Sequence, residues 1–191
     1  MGGKLPKESD RRVQRTRRTL REALVTMVLE KGWEGFSVQD VCDRADVGRS
    51  TFYTHFADKE DLLIGGLDDL RKGLRALAAK ERSGTPLGFA RGLIEHAAEQ
   101  QRLFRAVVGK RSGQVVQQKF RSVVLGLVQE DLAAHAPAGP RRDAAAHYFT
   151  GALLEVLTWW LETHHALGAA EVEQLFQEMA RPTLEVLAPR R

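Results

Sequence analysis

SVQDVCDRADVGRSTFYTHFADKEDLL, Ser37 to Leu63, is the stretch whose pattern decides the fold. Ser37 is a good N-cap, and Asp40 three residues on gives a weaker form of the capping box. Val38, Val41, Cys42 and Ala45 then share one face of a short helix. Asp46 is the predicted stop, because Asp tolerates the left-handed conformation better than most residues. Val47 can plug the corner, and Gly48 can cap a second helix at little cost relative to Ser. In that second helix Phe52 and Phe56 stand at i, i+4 and can face a core. Arg49, Ser50, Thr51, Tyr53, Thr54 and His55 occupy the opposite face, and all can hydrogen-bond. Two short helices, a tight turn and a polar second face make a helix-turn-helix.

An α-helix fits the major groove of B-DNA, where each base pair shows its own pattern of donors and acceptors. A helix apolar behind and polar in front suits that groove. Asp58 can cap a further helix whose first turn is Lys59, Glu60 and Asp61. Backbone N–H groups and Lys59 at that start can hold a phosphate; the same residues also fit an ordinary acidic helix start that complements the helix dipole.

Residues 17–63 resemble the DNA-binding domain of the TetR family of transcriptional repressors. The likeness runs through Leu20, Ala23, Leu24, Gly32, Phe36, Ser37, Val41, Ala45 and Val47 to the specific run T-F-Y-x-H-F-x-x-K-E-x-L-L at Thr51–Leu63. The family commonly has Gly where this chain has Asp46, and Ser or Thr where it has Gly48; both substitutes are physically tolerable. The resemblance implies that Gln39 and Thr51 touch bases and that Arg49 and Ser50 open the recognition helix toward the groove. It places Tyr53, His55 and Lys59 at phosphates. Thr54 lies on the same face, and Ser37 can add a backbone contact as well as cap its helix.

The length of 191 residues suits one ordinary domain or a small domain joined to a larger one. A hydrophobic share of 43% with 28% charged residues is globular rather than disordered. The net charge of +4 is a mild excess that suits a polyanionic partner. It is concentrated at the start, where Lys4, Lys7, Arg11, Arg12, Arg15, Arg17, Arg18 and Arg21 face only Glu8 and Asp10. This arm either tracks phosphates or the minor groove, or is a solvated tail; Arg15, Arg17 and Arg18, next to the first helix, favour phosphate contact. Cys42 is the single cysteine, which excludes an intramolecular disulfide, and its apolar position predicts a buried structural thiol. No apolar run is long enough for a membrane span and no signal core follows the basic N-terminus, so the expected compartment is the cytoplasm.

Taken in order, the periodicity predicts an all-α chain of about nine helices with no strand. A first helix from about Val13 to Lys31 carries Leu20, Leu24, Met27 and Val28, and Gly32 ends it. A helix from Asp58 to about Lys80 carries a seam of Leu63, Leu67, Leu70, Leu74 and Leu77, interrupted by Gly65, Gly66 and Gly73. Thr85 and Pro86 read as N-cap and first position of a helix marked by Phe89, Ala90, Leu93, Ile94 and Ala97. Further helices are expected at about 102–108, 114–135, 141–165 and 170–186, with a loop at 109–113, Gly168 ending the penultimate helix and Pro182 kinking or restarting the last. The expected domains are residues 1–57, the basic arm and helix-turn-helix, and residues 58–191, a helical effector-binding and dimerisation domain.

The second domain has no motif of comparable specificity. The resemblance implies a homodimer held by the last two helices, which agrees with apolar residues on more than one face of the 141–165 segment. A two-fold dimer reads a palindromic operator. The resemblance also implies a small-molecule pocket, whose ligand no motif names; Phe89, His96, Phe104, Phe120, Tyr148, Phe149 and Trp159 are candidate lining residues, and each also suits core or interface. No histidine spacing, phosphate loop or nucleophile motif speaks for an enzyme, a metal or a cofactor. The expected function is thus a homodimeric repressor released from DNA by a small molecule of apolar character. The alternative is a dimeric regulator whose second domain serves only dimerisation or partner binding.

Overall fold

The computed structural model describes residues 8–80, 86–108, 113–163 and 166–187. These residues form nine α-helices and one short 3-10 turn, with no strand among them. In chain order they are α1 (Glu8–Lys31), the turn η1 (Trp33–Gly35), α2 (Val38–Ala45), α3 (Arg49–His55), α4 (Lys59–Lys80), α5 (Phe89–Glu99), α6 (Gln101–Val108), α7 (Gly113–His135), α8 (Pro140–Glu162) and α9 (Ala169–Leu187). The chain divides into two compact units, Met1–Gly66 and Leu67–Arg191.

In the first unit the apolar stripe of α1, Leu20, Ala23, Leu24, Met27 and Val28, is buried, as are Trp33, Phe36, Val41, Cys42, Ala45, Phe52, Phe56 and Leu62. α1 starts five residues earlier than the hydrophobic stripe predicts, because the polar residues ahead of Val13 hold no breaker and a helix continues wherever propensity alone allows. Gly32 ends α1 with φ 72°, a conformation that suits glycine, and its N–H donates to Val28 O at 3.0 Å. On α4 the fully buried leucine is Leu62, while Leu63 is only half-buried.

In the second unit one core joins Leu74 of α4 with Phe89, Leu93 and Ile94 of α5, Phe104 of α6, Phe120, Val124 and Leu132 of α7, Phe149, Leu153 and Leu157 of α8, and Val172 and Phe176 of α9. α5 begins at Phe89, after a turn, rather than at Pro86; Thr85 lies outside the described residues. Leu87 sets that turn, with φ 61° and a fully buried side chain. Asp131 of α7 accepts the Leu87 N–H at 2.6 Å, so a contact distant in sequence overrides the local Thr-Pro signal. α8 takes Pro140 as its first residue and ends at Glu162, short of Gly168; His164 and His165 lie outside the described residues. Gly168 instead stands just ahead of α9, its N–H donating to Glu171 Oε2 at 2.8 Å. α9 runs unbroken through Pro182.

Candidate nucleic-acid interface

The helix-turn-helix is built from caps that the local sequence dictates. The Ser37 hydroxyl accepts the Asp40 N–H at 3.3 Å and the Asp40 carboxylate accepts the Ser37 N–H at 2.8 Å, a complete capping box. Hydrogen bonds from the Ser37 hydroxyl first, then from its backbone N–H and from Lys31, hold the Asp40 carboxyl well below the usual carboxylate range. Asp46 closes α2 in the left-handed region, with φ 52° and ψ 45°. The Val47 N–H then reaches back to Cys42 O at 3.0 Å. Gly48 caps α3 in an extended conformation without a side-chain bond. Cys42 is buried, and burial pushes its thiol pKa up, so it is a core residue.

α3 turns Phe52 inward and its C-cap, Phe56, follows, their ring centroids 5.9 Å apart, while Arg49, Ser50, Thr51, Tyr53 and Thr54 are exposed. The Arg49 guanidinium lies 5.7 Å from the Tyr53 ring centroid and donates to the Tyr53 hydroxyl at 3.3 Å. Thr54 spends its hydroxyl proton on Ser50 O at 2.9 Å, which leaves its oxygen an acceptor. His55 is half-buried with its ring 6.4 Å from that of Phe56. On α2, Gln39 is exposed and its amide donates to Asp43 Oδ1 at 2.6 Å. Asp43 is thus a neighbour that fixes which edge Gln39 presents, and its i, i+4 spacing from Gln39 is the sequence signal for it.

Two of the basic candidates touch the body of the first unit. Arg17 is half-buried, its guanidinium 5.6 Å from the Phe56 ring centroid, and its Nε is buried without a hydrogen-bond partner among the described residues. Lys59 donates from Nζ to Trp33 O at 2.8 Å and to Phe36 O at 3.1 Å. Arg11, Arg12, Arg15 and Arg18 are exposed along α1, so the basic arm is helical at least over those residues.

Residues 20–65 match the family model for bacterial regulatory proteins of the tetR family, and residues 84–182 match the model for a transcriptional regulator C-terminal region. The chain belongs to the TetR family of transcriptional regulators. The HTH-type transcriptional regulator TcmR of Streptomyces glaucescens is 28% identical over 107 residues, 55% of this chain and 43% of TcmR. The chain spans less than half the length of the curated relatives it matches. A TetR-family structure from Syntrophomonas wolfei superposes with a TM-score of 0.72 at 19% identity, covering 93% of this chain and 99% of the other. NalD, the secondary repressor of the MexAB-OprM multidrug efflux pump in Pseudomonas aeruginosa, gives a TM-score of 0.62 at 16% identity over 93% of this chain and 99% of NalD. At these identities the structures show the shared fold. Among the described residues no helix is long and apolar enough to cross a membrane, and no group of side chains could hold a metal ion.

The seven aromatic and histidine candidates of the second unit separate into three sets. His96, Phe104 and Phe120 form a ladder, each ring edge-on to the next at 5.6 Å. Phe89 and Phe149 are buried elsewhere in the same core. Tyr148 and Trp159 do not join them: they are 55% and 40% exposed on α8, so the structure puts them on the surface of the unit rather than in its interior.

Proposed function

We propose that this TetR-family regulator is a homodimeric repressor that reads a palindromic operator through α3 and the start of α2, and leaves it when a small molecule binds the second domain. The observation that carries the DNA-reading part is the two-sidedness of α3. Phe52 is fully buried, while Arg49, Ser50, Thr51, Tyr53 and Thr54 all face solvent from a helix short enough to enter a major groove. On this reading Arg49, Ser50, Thr51 and Gln39 meet base edges. Tyr53, Thr54 and His55 meet phosphates, and Arg17 with Ser37 flanks them. Residues 1–57 are the reader, and residues 58–191 the effector-binding and dimerisation domain.

Dimerisation is supported by apolar surface left over in the second unit. Tyr148 and Trp159 of α8, and Leu175, Met179 and Val186 of α9, are exposed and lie outside the core of that unit. Two-fold symmetry is the economical way for a short reading helix to specify a site. Selection of binding sites from random DNA at a fixed salt concentration tests the reading. An enriched inverted repeat is the expected result; salt-sensitive binding without enrichment would refute it.

A second reading has an observation of its own. Phe89, Phe104, Phe120 and Phe149 are packed into one continuous core, which suits a second domain that only dimerises or binds a partner. A thermal-shift screen separates the two readings, because a ligand that binds the folded chain raises its melting temperature.

A further inference from the structure

We infer that Lys59 is a positioning residue that locks the entry to α2, and that it is not one of the phosphate contacts. The inference rests on the DNA-reading function proposed above and assigns this residue a different task within it. Four contacts define its place. Nζ donates to the carbonyls of Trp33 and Phe36 at 2.8 and 3.1 Å, and it lies 4.7 and 4.8 Å from the centroids of the rings of the same two residues. Those rings meet edge to face at 5.9 Å and are themselves buried. Two of the three ammonium donors are thus held by carbonyl oxygens of the first unit, beside two aromatic rings.

The location gives the cage its consequence. Trp33 opens η1 and Phe36 closes it, and the next residue, Ser37, is the N-cap of α2. A 3-10 turn of three residues leaves its last carbonyls without helical partners, and Lys59 supplies the missing donors. The first residue of α4 therefore fastens the chain one position ahead of the α2 cap, and the direction in which α2 presents Gln39 follows from it. An ammonium suits this role because it is compact and donates in three directions. A guanidinium is longer and carries its donors in one plane, so it is a poor match for two carbonyls approached from beside these rings. A phosphate contact has the opposite preference, since Arg binds phosphate at least as well as Lys.

Amine acetylation read by mass spectrometry on the wild-type chain, free and on its selected operator, tests the cage. Lys72, whose side chain is 77% exposed, is the internal reference. Lys59 is expected to react at least tenfold more slowly than Lys72 in the free chain, with less than a twofold further change on the operator. Reaction at the rate of Lys72, or marked further protection on DNA, overturns the inference. A chain that selects no operator instead refutes the DNA-reading function, while the free-state rates still decide whether the cage exists.

Lys59→Met and Lys59→Arg supply the functional arm. Both are expected to lower operator affinity about tenfold or more while the slope of log affinity against log salt stays that of the wild type. A slope shallower by about 0.9 in Lys59→Met, the value of one lost phosphate contact, or wild-type affinity in Lys59→Arg, overturns the positioning role. Should either variant fail to fold, the acetylation of the wild type decides alone.

Discussion

The Asp40 carboxylate accepts from both the backbone N–H and the hydroxyl of Ser37, at 2.8 and 2.5 Å, and Lys31 Nζ donates to its other oxygen at 3.1 Å. These bonds favour the ionised form, so Asp40 titrates below its unfolded value. A depressed folded pKa contributes stability that is complete above the unfolded carboxylate value, about 3.9, and is lost as pH falls through the folded value. Melting temperatures of the wild type and Asp40→Asn should therefore differ most at neutral pH and converge in acid. Ser37→Ala, which removes the cap, should cost about 0.5–2 kcal/mol at neutral pH.

Asp46 holds φ 52° between the two helices, at a position where the Cβ of an L-residue crowds the following carbonyl. Asp46→Gly removes that crowding and adds freedom to the unfolded chain, two effects of about 1–2 and 0.4–1 kcal/mol that leave a small net gain. Asp46→Val adds a branched Cβ and should destabilise by more than about 1 kcal/mol. Urea denaturation of the two variants checks the pair. Equal stability would mean that the turn is not left-handed.

The features that the sequence made legible in the first unit are local ones. Ser37, Asp46 and Gly32 act within four residues of themselves, and the structure places each in the predicted role. Phe89, Leu93 and Ile94 of α5 and Val116, Phe120, Val124, Leu127, Val128 and Leu132 of α7 are buried for the same reason. What escaped depends on partners distant in the chain. The start of α5 follows Asp131, 44 residues from Leu87, and not the adjacent Thr85-Pro86. Lys59 looks like an outward-facing first-turn residue until Trp33 and Phe36 are folded against it. The expectation of a pocket also grouped Tyr148 and Trp159 with Phe149, since all are large and aromatic, although only Phe149 faces the core.

Asp131 should show a pH dependence of opposite sign to that of Asp40. Burial raises its pKa, and the Leu87 N–H and the neighbouring His135 offset that only in part. A carboxyl with a raised folded pKa weighs against the folded state once it ionises, and that cost disappears as pH falls below the unfolded value. Asp131→Asn keeps an acceptor for the Leu87 N–H and removes the charge, so it should be more stable than the wild type at pH 7 and equal to it in acid. Asp131→Ala leaves a buried N–H unpaired and should cost about 1–3 kcal/mol. Calorimetry between pH 3 and pH 8 (roughly the range over which carboxylates with raised values titrate) distinguishes the three.

Arg49 stands over Tyr53, which pre-orients its guanidinium at the solvent face of α3. If Arg49 reads a guanine edge, Arg49→Ala should lose preference at one base pair in each half-site while the remaining positions keep theirs. Tyr53→Phe retains the ring beneath Arg49 but not the hydroxyl, and should weaken binding to all sequences alike. Repeating the site selection with each variant gives the readout. A uniform loss with Arg49→Ala would place Arg49 at the backbone instead.

Met179 is 58% exposed on α9 and Trp159 is 40% exposed on α8, two large apolar side chains that the core of their own unit does not use. Charging them leaves that core intact, so Trp159→Lys and Met179→Lys should fold with unchanged helicity. In a dimer built on these helices a lysine would be buried against apolar surface without a partner, which costs several kcal/mol. The wild type should therefore run at twice the mass of the chain in light scattering and the double variant at once, with operator affinity falling because the half-sites are no longer read together. A variant that remains a dimer would move the interface to another face, and a monomeric wild type would remove the dimer altogether.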